Sequence, residues 1–295
     1  MADRLWRALG FPDVPPDAAV YTTDDVRALK IAAEGLEQLC GAERERAVEL
    51  MVGEARSVSA HLARIAEIEV SALAELGRLG LRQRAVAQAV ERGLEGSDLG
   101  WLLFYALRRR LDEALRRQAA TVEEQPLLAV GFIDLVDFTE RTGSLDEEEL
   151  ARMLGRFESL AWDVVTEADG QVVKLIGDEA MLVCPSTDAA ARAALEILSA
   201  TAKRDLPPAR AGLALGPLLA RGGDYFGAAV NLASRLVNSA KPGTVIIDER
   251  FKEALGDHFV VEPLGRQRLK GIGEAPAWSL RYATTRRSGD YAAGS

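Results

Sequence analysis

Leu127-Leu-Ala-Val-Gly-Phe-Ile-Asp134 is the stretch on which the fold turns. It follows Pro126, runs apolar for seven residues and ends on a carboxylate. A short apolar run bounded this way predicts a buried strand. Working outward, helical spacing returns from about residue 146 to 168. Two short apolar runs then flank Gly177-Asp178 and predict a hairpin, and a second helix is expected from about 187 to 202. Further strands are expected at 210–215, 244–248 and 259–264. The order β-α-β-β-α-β is that of a ferredoxin-like core with additions.

Upstream of Pro126 the texture differs. Pro12-Asp-Val-Pro-Pro16 breaks the chain early, and Thr22-Thr-Asp-Asp25 offers N-cap chemistry for a helix through Leu39. From Ala42 to Leu76 apolar residues recur at helical spacing, among them Val48, Val52, Val58, Leu62 and Ile65, with Gly53 placed to bend or split that helix. Another amphipathic stretch runs from about 98 to 117. The fold class is therefore α+β. An all-α domain over 1–120 precedes a linker at 121–126, a βαββαβ domain at 127–283 and a disordered polar tail at 284–295.

The bulk numbers exclude several classes. The 295 residues suffice for two domains. No apolar run reaches bilayer length; the densest patch, Trp101 to Leu107, ends in Arg108-Arg-Arg110. The N-terminus lacks a signal-peptide pattern, so a cytoplasmic protein is expected. Cys40 and Cys184 are far apart and suggest neither a disulfide framework nor a zinc site. A net charge of −9 argues against nucleic acid as the main partner, although a single nucleotide can still find a locally basic or metal-loaded site.

Three constellations carry chemistry. Asp134 closes the first strand and Asp178 sits at the hairpin tip. Carboxylates from neighbouring strands can hold two Mg2+ ions, activating an attacking oxygen and stabilising a leaving phosphate; an isolated strand-end aspartate, by contrast, is more often a solvated turn residue. In Asp224-Tyr-Phe-Gly-Ala-Ala-Val-Asn231-Leu-Ala-Ser-Arg235, Gly227 lets the backbone turn into a helix, on which Asn231 and Arg235 share a face. A neutral donor beside a guanidinium suits a charged phosphoryl transition state. Lys270, in Leu269-Lys-Gly-Ile-Gly, is a lysine beside flexible glycines and suited to a phosphate oxygen.

Four blocks, Phe132-Ile-Asp-Leu-Val-Asp-Phe-Thr139, Lys174-Leu-Ile-Gly-Asp178, Val230-Asn-Leu-Ala-Ser-Arg235 and Leu269-Lys-Gly271, occur in the order of the signature blocks of class III adenylyl and guanylyl cyclases. The resemblance spans about 127–283. It implies that Asp134 and Asp178 are metal ligands for two Mg2+ or Mn2+ ions per site, and that Lys174 and Asp224 select the purine. It further implies that Asn231 and Arg235 stabilise the transition state and that Lys270 binds phosphate. Hydrogen bonding favours ATP: lysine only donates and aspartate only accepts, matching adenine N1 and its exocyclic amine, whereas guanine presents the reverse. The alternative is that Lys174 and Asp224 bond each other. Lys174 and Asp178 are only four residues apart, so one segment is poorly placed to read base and triphosphate in one site. Two chains about a twofold axis remove the difficulty. The expected enzyme is thus a homodimeric adenylyl cyclase making cyclic AMP and pyrophosphate; a non-catalytic nucleotide-binding or dimerisation module is the alternative.

Two features depart from the family pattern. Asp137 stands where relatives carry a small residue; it either faces solvent or repels phosphate. No obvious arginine for the β-phosphate follows Gly216, which leaves Arg221 as a substitute. Leu5-Trp-Arg-Ala-Leu-Gly-Phe-Pro-Asp-Val-Pro15 and the helices after it resemble the regulatory domain of soluble actinobacterial adenylyl cyclases, some of which respond to pH. The chain enters that pattern abruptly, which raises the expectation of a longer N-terminal region or an earlier start. Regulation by pH or a small molecule is expected through this half. His61 and the acidic groups Glu123, Glu124 and Asp146 to Glu149 are the candidates for titration; dimerisation alone is the other role open to it.

Overall fold

In the computed structural model, which describes residues 4, 7–10, 22–34, 41–78, 98–119, 127–138 and 145–283, the stretch after Pro126 is strand β1 (Leu127–Leu135). The chain divides into two compact units, Met1–Ala120 and Thr121–Ser295. In the first unit the described elements are helices α1 (Thr23–Glu34), α2 (Gly41–Arg78) and α3 (Asp98–Ala119). Helix α2 is continuous through Gly53, so the expected split does not occur. Ser59 of α2 donates from Oγ to the Leu9 carbonyl at 2.6 Å, holding the 7–10 segment against that helix. The Pro12–Pro16 break, residues 35–39 of the first expected helix, the linker and the tail lie outside the described residues. None of the described helices is long and apolar enough to cross a membrane.

The second unit continues as α4 (Glu147–Glu167), β2 (Gln171–Ile176), β3 (Glu179–Cys184), α5 (Thr187–Thr201) and β4 (Ala209–Pro217). A hairpin of β5 (Leu219–Arg221) and β6 (Asp224–Phe226) comes next, then α6 (Ala228–Ser239), β7 (Val245–Ile247), α7 (Glu249–Glu253), β8 (Phe259–Leu269) and β9 (Gly273–Tyr282). The main sheet runs β2-β3-β1-β4-β7-β9-β8. Its first four strands are the expected βαββαβ core, antiparallel throughout; β7 joins β4 in parallel and carries the β8/β9 ribbon. The expectation omitted β9 and the β5/β6 hairpin.

Side-chain alternation explains the layering. Along β1, Ala129, Ile133 and Leu135 face the main core beneath α4 and α5, while Val130 and Phe132 face α6. Helix α4 presents Phe157, Leu160, Ala161 and Val165 to that core. Its start is fixed by a capping box: Asp146 accepts from the Glu149 N–H at 2.8 Å and Glu149 accepts from the Asp146 N–H at 3.2 Å. Two members of the acidic cluster are thus engaged in capping, and Glu148 pairs with Arg152. Helix α6 lies on the opposite face through Ala229, Ala233 and Val237. It approaches β4 so closely that a Cβ at Gly212 would stand 2.2 Å from the Val237 nitrogen.

Candidate active site

Strand pairing brings the acidic residues together. Asp134, near the end of β1, is in register with Glu179 on β3 and Arg210 on β4. Asp178 lies in the turn just before β3, and its carbonyl accepts from the Leu135 N–H at 3.2 Å. Arg210 grips one carboxylate oxygen of Asp134 twice, from Nε at 2.7 Å and Nη2 at 2.6 Å. Burial raises the Asp178 carboxyl above its ordinary value. Its own backbone hydrogen bond opposes this, and the neighbouring charge of Asp134 adds to it. Burial, then Asp134 and Asp178, push Glu179 up to about 7. Packing has therefore placed like charges where they resist ionisation, an arrangement that a cation relieves. Among the described residues no group of three or more His, Cys, Asp or Glu side chains is arranged to hold a metal. A pair of hard carboxylate oxygens nonetheless fits Mg2+ or Mn2+, since such ions commonly take one or two carboxylates and complete their shell with phosphate and water.

The second cluster is Lys174 on β2 and Asp224 at the start of β6. Lys174 Nζ donates to Asp224 Oδ2 at 2.5 Å, while Asp224 Oδ1 accepts from the Tyr225 N–H at 2.8 Å. Burial pushes the Asp224 carboxyl up, but the hydrogen bond and charge of Lys174 and the Tyr225 N–H together hold it below its ordinary value. Both side chains stay about one-third exposed, with 34% and 29% accessible. The mutual pairing weighed from sequence is thus present, between two groups that a ligand can still reach.

The third cluster lies on α6 and the β8–β9 turn. Gly227 takes φ 151° at the head of α6, and the Asn231 N–H bonds its carbonyl at 3.3 Å. Asn231 and Arg235 follow one turn apart on the exposed side, opposite buried Ala229, Ala233 and Leu236. Arg235 and Lys270 line one open cavity of about 390 Å3, together with Arg268, Leu269, Asn238 and Ser239. Asn231 does not line it. Among the described residues no hydrogen bond or ion pair links any two of the three clusters within a chain.

The sequence reading missed three residues. Arg210 is the lone cation at the head of an apolar strand, and that isolation is the signal that marks it. Glu179 directly follows Asp178, and Arg268 precedes Lys270 by two. Arg221 is exposed and sits in register with Asp224 on the β5/β6 hairpin. Asp137 takes φ 61° in the turn after β1 and faces solvent. His61 is exposed on α2, its Nδ1 2.6 Å from the Ser57 carbonyl oxygen.

Residues 121–282 match the family described as "Adenylate and Guanylate cyclase catalytic domain". The adenylate cyclase of Streptomyces coelicolor (strain ATCC BAA-471 / A3(2) / M145) is 31% identical, over 98% of this chain and 83% of that protein. An adenylate cyclase of Glutamicibacter nicotianae is 32% identical over 95% of this chain and 74% of its own length. A "pH-sensitive adenylate cyclase" of Mycobacterium tuberculosis (strain CDC 1551 / Oshkosh) is 31% identical over 97% and 75%. Among solved structures, the catalytic core of a rhodopsin-guanylyl cyclase with converted specificity, in complex with ATPalphaS, has the same fold. Its TM-score is 0.50 at 24% identity, covering 54% of this chain and 97% of that one.

Proposed function

The chain belongs to the adenylate and guanylate cyclase catalytic domain family, and from that premise we propose that it is an adenylate cyclase converting ATP to 3′,5′-cyclic AMP and pyrophosphate. The observation that carries the choice of ATP is the Lys174–Asp224 pair: one donor-only and one acceptor-only side chain, 2.5 Å apart and partly exposed. Lys174 donates to adenine N1 and Asp224 accepts from the exocyclic amine. Guanine would leave both mispaired. The ribose 3′ oxygen bonds to the α-phosphorus, the bond from that phosphorus to the pyrophosphate oxygen breaks, and one proton is released. Asn231 and Arg235 stabilise the charge that develops on the α-phosphoryl oxygens, and Lys270 binds the phosphate chain. Arg210, already against Asp134, adds positive charge on the triphosphate side. Asp134 and Asp178 would hold Mg2+ or Mn2+, two per site, which supply activation of the attacking oxygen and neutralisation of the leaving phosphate.

The sites are shared between two chains in this reading: Asp134 and Asp178 come from one, Lys174, Asp224, Asn231, Arg235 and Lys270 from the other. Two observations support the sharing. Among the described residues no hydrogen bond or ion pair links the clusters within a chain. Exposed Ile176, Leu219 and Phe226 flank the Lys174–Asp224 pair, where a second catalytic domain would cover them. Residues 127–283 form the catalytic domain, and residues 1–120 a helical domain that sets how the catalytic domains meet and so carries regulation. The enzyme acts in the cytoplasm, where ATP is supplied. Cyclic nucleotide formation by the purified chain, with ATP or GTP and with Mg2+ or Mn2+, tests the reading. Cyclic AMP from ATP, abolished in Asp178→Ala, is expected. A folded dimer that binds ATP and makes no product would support a binding module instead.

A further inference from the structure

We propose that Arg268 is an additional phosphate-binding residue, placed beside Arg235 so that it and Lys270 grip the β- and γ-phosphates and the pyrophosphate they become. This rests on the cyclase reading above and adds a residue to that site. The case begins with alternation along β8. Leu269 is buried against Leu236, Ala240, Ile246 and Ala277, which pins the end of β8 to α6. Its neighbours Arg268 and Lys270 therefore stand on the other side of the strand end, and both are exposed. All three cations, Arg235, Arg268 and Lys270, line the cavity of about 390 Å3.

Charge pairing explains why Arg268 is available. The residue opposite it in the β8/β9 register is Glu274. The Glu274 carboxylate is instead 3.4 Å from Arg266 Nε, and its carbonyl accepts from Arg266 Nη2 at 2.9 Å. The natural cross-strand acid is thus taken by the next arginine along. Among the described residues neither Arg235, Arg268 nor Lys270 makes an ion pair. Three uncompensated positive charges around one concavity, in a chain of net charge −9, repel one another until an anion of high charge density enters. A guanidinium fork suits adjacent phosphate oxygens better than a second ammonium would.

The test titrates the purified full chain with tripolyphosphate and measures pyrophosphate inhibition of cyclic AMP formation. Arg268→Ala is expected to weaken tripolyphosphate binding by about tenfold or more, and to raise the pyrophosphate inhibition constant and the KM for ATP by a similar factor. Arg268→Lys recovers part of the loss. Arg281→Ala, which removes a cation paired with Glu262 elsewhere on the same ribbon, leaves all three values unchanged. Tripolyphosphate binding equal to wild type in Arg268→Ala overturns the inference while leaving a cyclic AMP-producing enzyme intact. A wild-type chain that makes no cyclic AMP, yet loses tripolyphosphate binding on the same substitution, keeps the phosphate site and removes the cyclase reading.

Discussion

Lys174 and Asp224 neutralise each other at 2.5 Å, so in the proposed site binding a purine exchanges that bond for two bonds to adenine. Truncating either side chain leaves its partner half-buried and unpaired. We expect Lys174→Ala and Asp224→Ala each to cut the preference for ATP over GTP, in kcat/KM, by roughly 10- to 100-fold, from about 1–3 kcal/mol per mispaired group. Competition between the two nucleotides checks this. A different aspartate sets stability. Asp248 is buried, caps α7 by accepting from the Phe251 N–H at 3.1 Å, and accepts from Leu215 of β4 at 3.2 Å. Burial raises its carboxyl above the ordinary value despite those bonds. A raised carboxyl contributes fully below its unfolded value and loses that contribution as pH climbs through the folded one. Asp248→Asn should therefore gain stability relative to wild type as pH rises above that window. Asp248→Ala should lose roughly 1–3 kcal/mol at acid pH, because two backbone donors lose their acceptor, and that deficit should narrow as pH rises, whereas Asp248→Asn keeps an acceptor throughout. Denaturant melts at pH 4 and pH 8 separate the two. At this scale the sequence was informative on placement where a residue type sits at a strand end or turn, as with Asp134 and Asp178, or at helical spacing, as with Asn231 and Arg235. It was silent on Arg210, whose role depends on a cross-strand register that no local pattern reveals.

Helix α6 shows how one element positions a site. It carries Asn231 and Arg235, and it can seat on the sheet only because β4 offers Gly212 beneath it. A Cβ there would meet the Val237 nitrogen at 2.2 Å and the Ala233 oxygen at 2.5 Å, both backbone atoms that cannot rotate away. Gly212→Ala should destabilise the fold by about 3 kcal/mol or more and lower activity by displacing both side chains. Thermal melting and cyclic AMP assays on one preparation check the coupling. Helices α4 and α5 were legible because their apolar spacing is strong and Asp146 and Ser186 cap them. The β5/β6 hairpin was not, since strands of three residues leave no period to read. Strand β9 was missed because Gly273, Pro276 and alternating polar residues obscure a strand held by its ribbon partner.

At the scale of the molecule, a helical unit precedes a seven-stranded sheet flanked by helices on both faces. The division and the ferredoxin-like core were legible because the texture changes sharply after Pro126. Strands β7 and β8 were expected at 244–248 and 259–264, but β9 and the pairing that joins all three to the core were not legible, because pairing beyond β4 depends on a parallel contact distant in sequence. In the proposed site that extension of the sheet carries weight, because it brings Lys270 and Arg268 beside α6. The Asp134–Asp178 pair, the Lys174–Asp224 pair and the cationic cavity then stand as three clusters on each chain, and the proposed mechanism requires two chains to complete a site. The most direct measurement is cyclic AMP formation from ATP by an equimolar mixture of Asp178→Ala and Arg235→Ala chains, each also assayed alone beside wild type. Each variant alone should be silent. The mixture should regain about a quarter of wild-type activity, because half of randomly assorted dimers are mixed and each of those holds one intact site of two. A wild type that makes no cyclic AMP, or a mixture that stays silent although the chains exchange, would contradict the account.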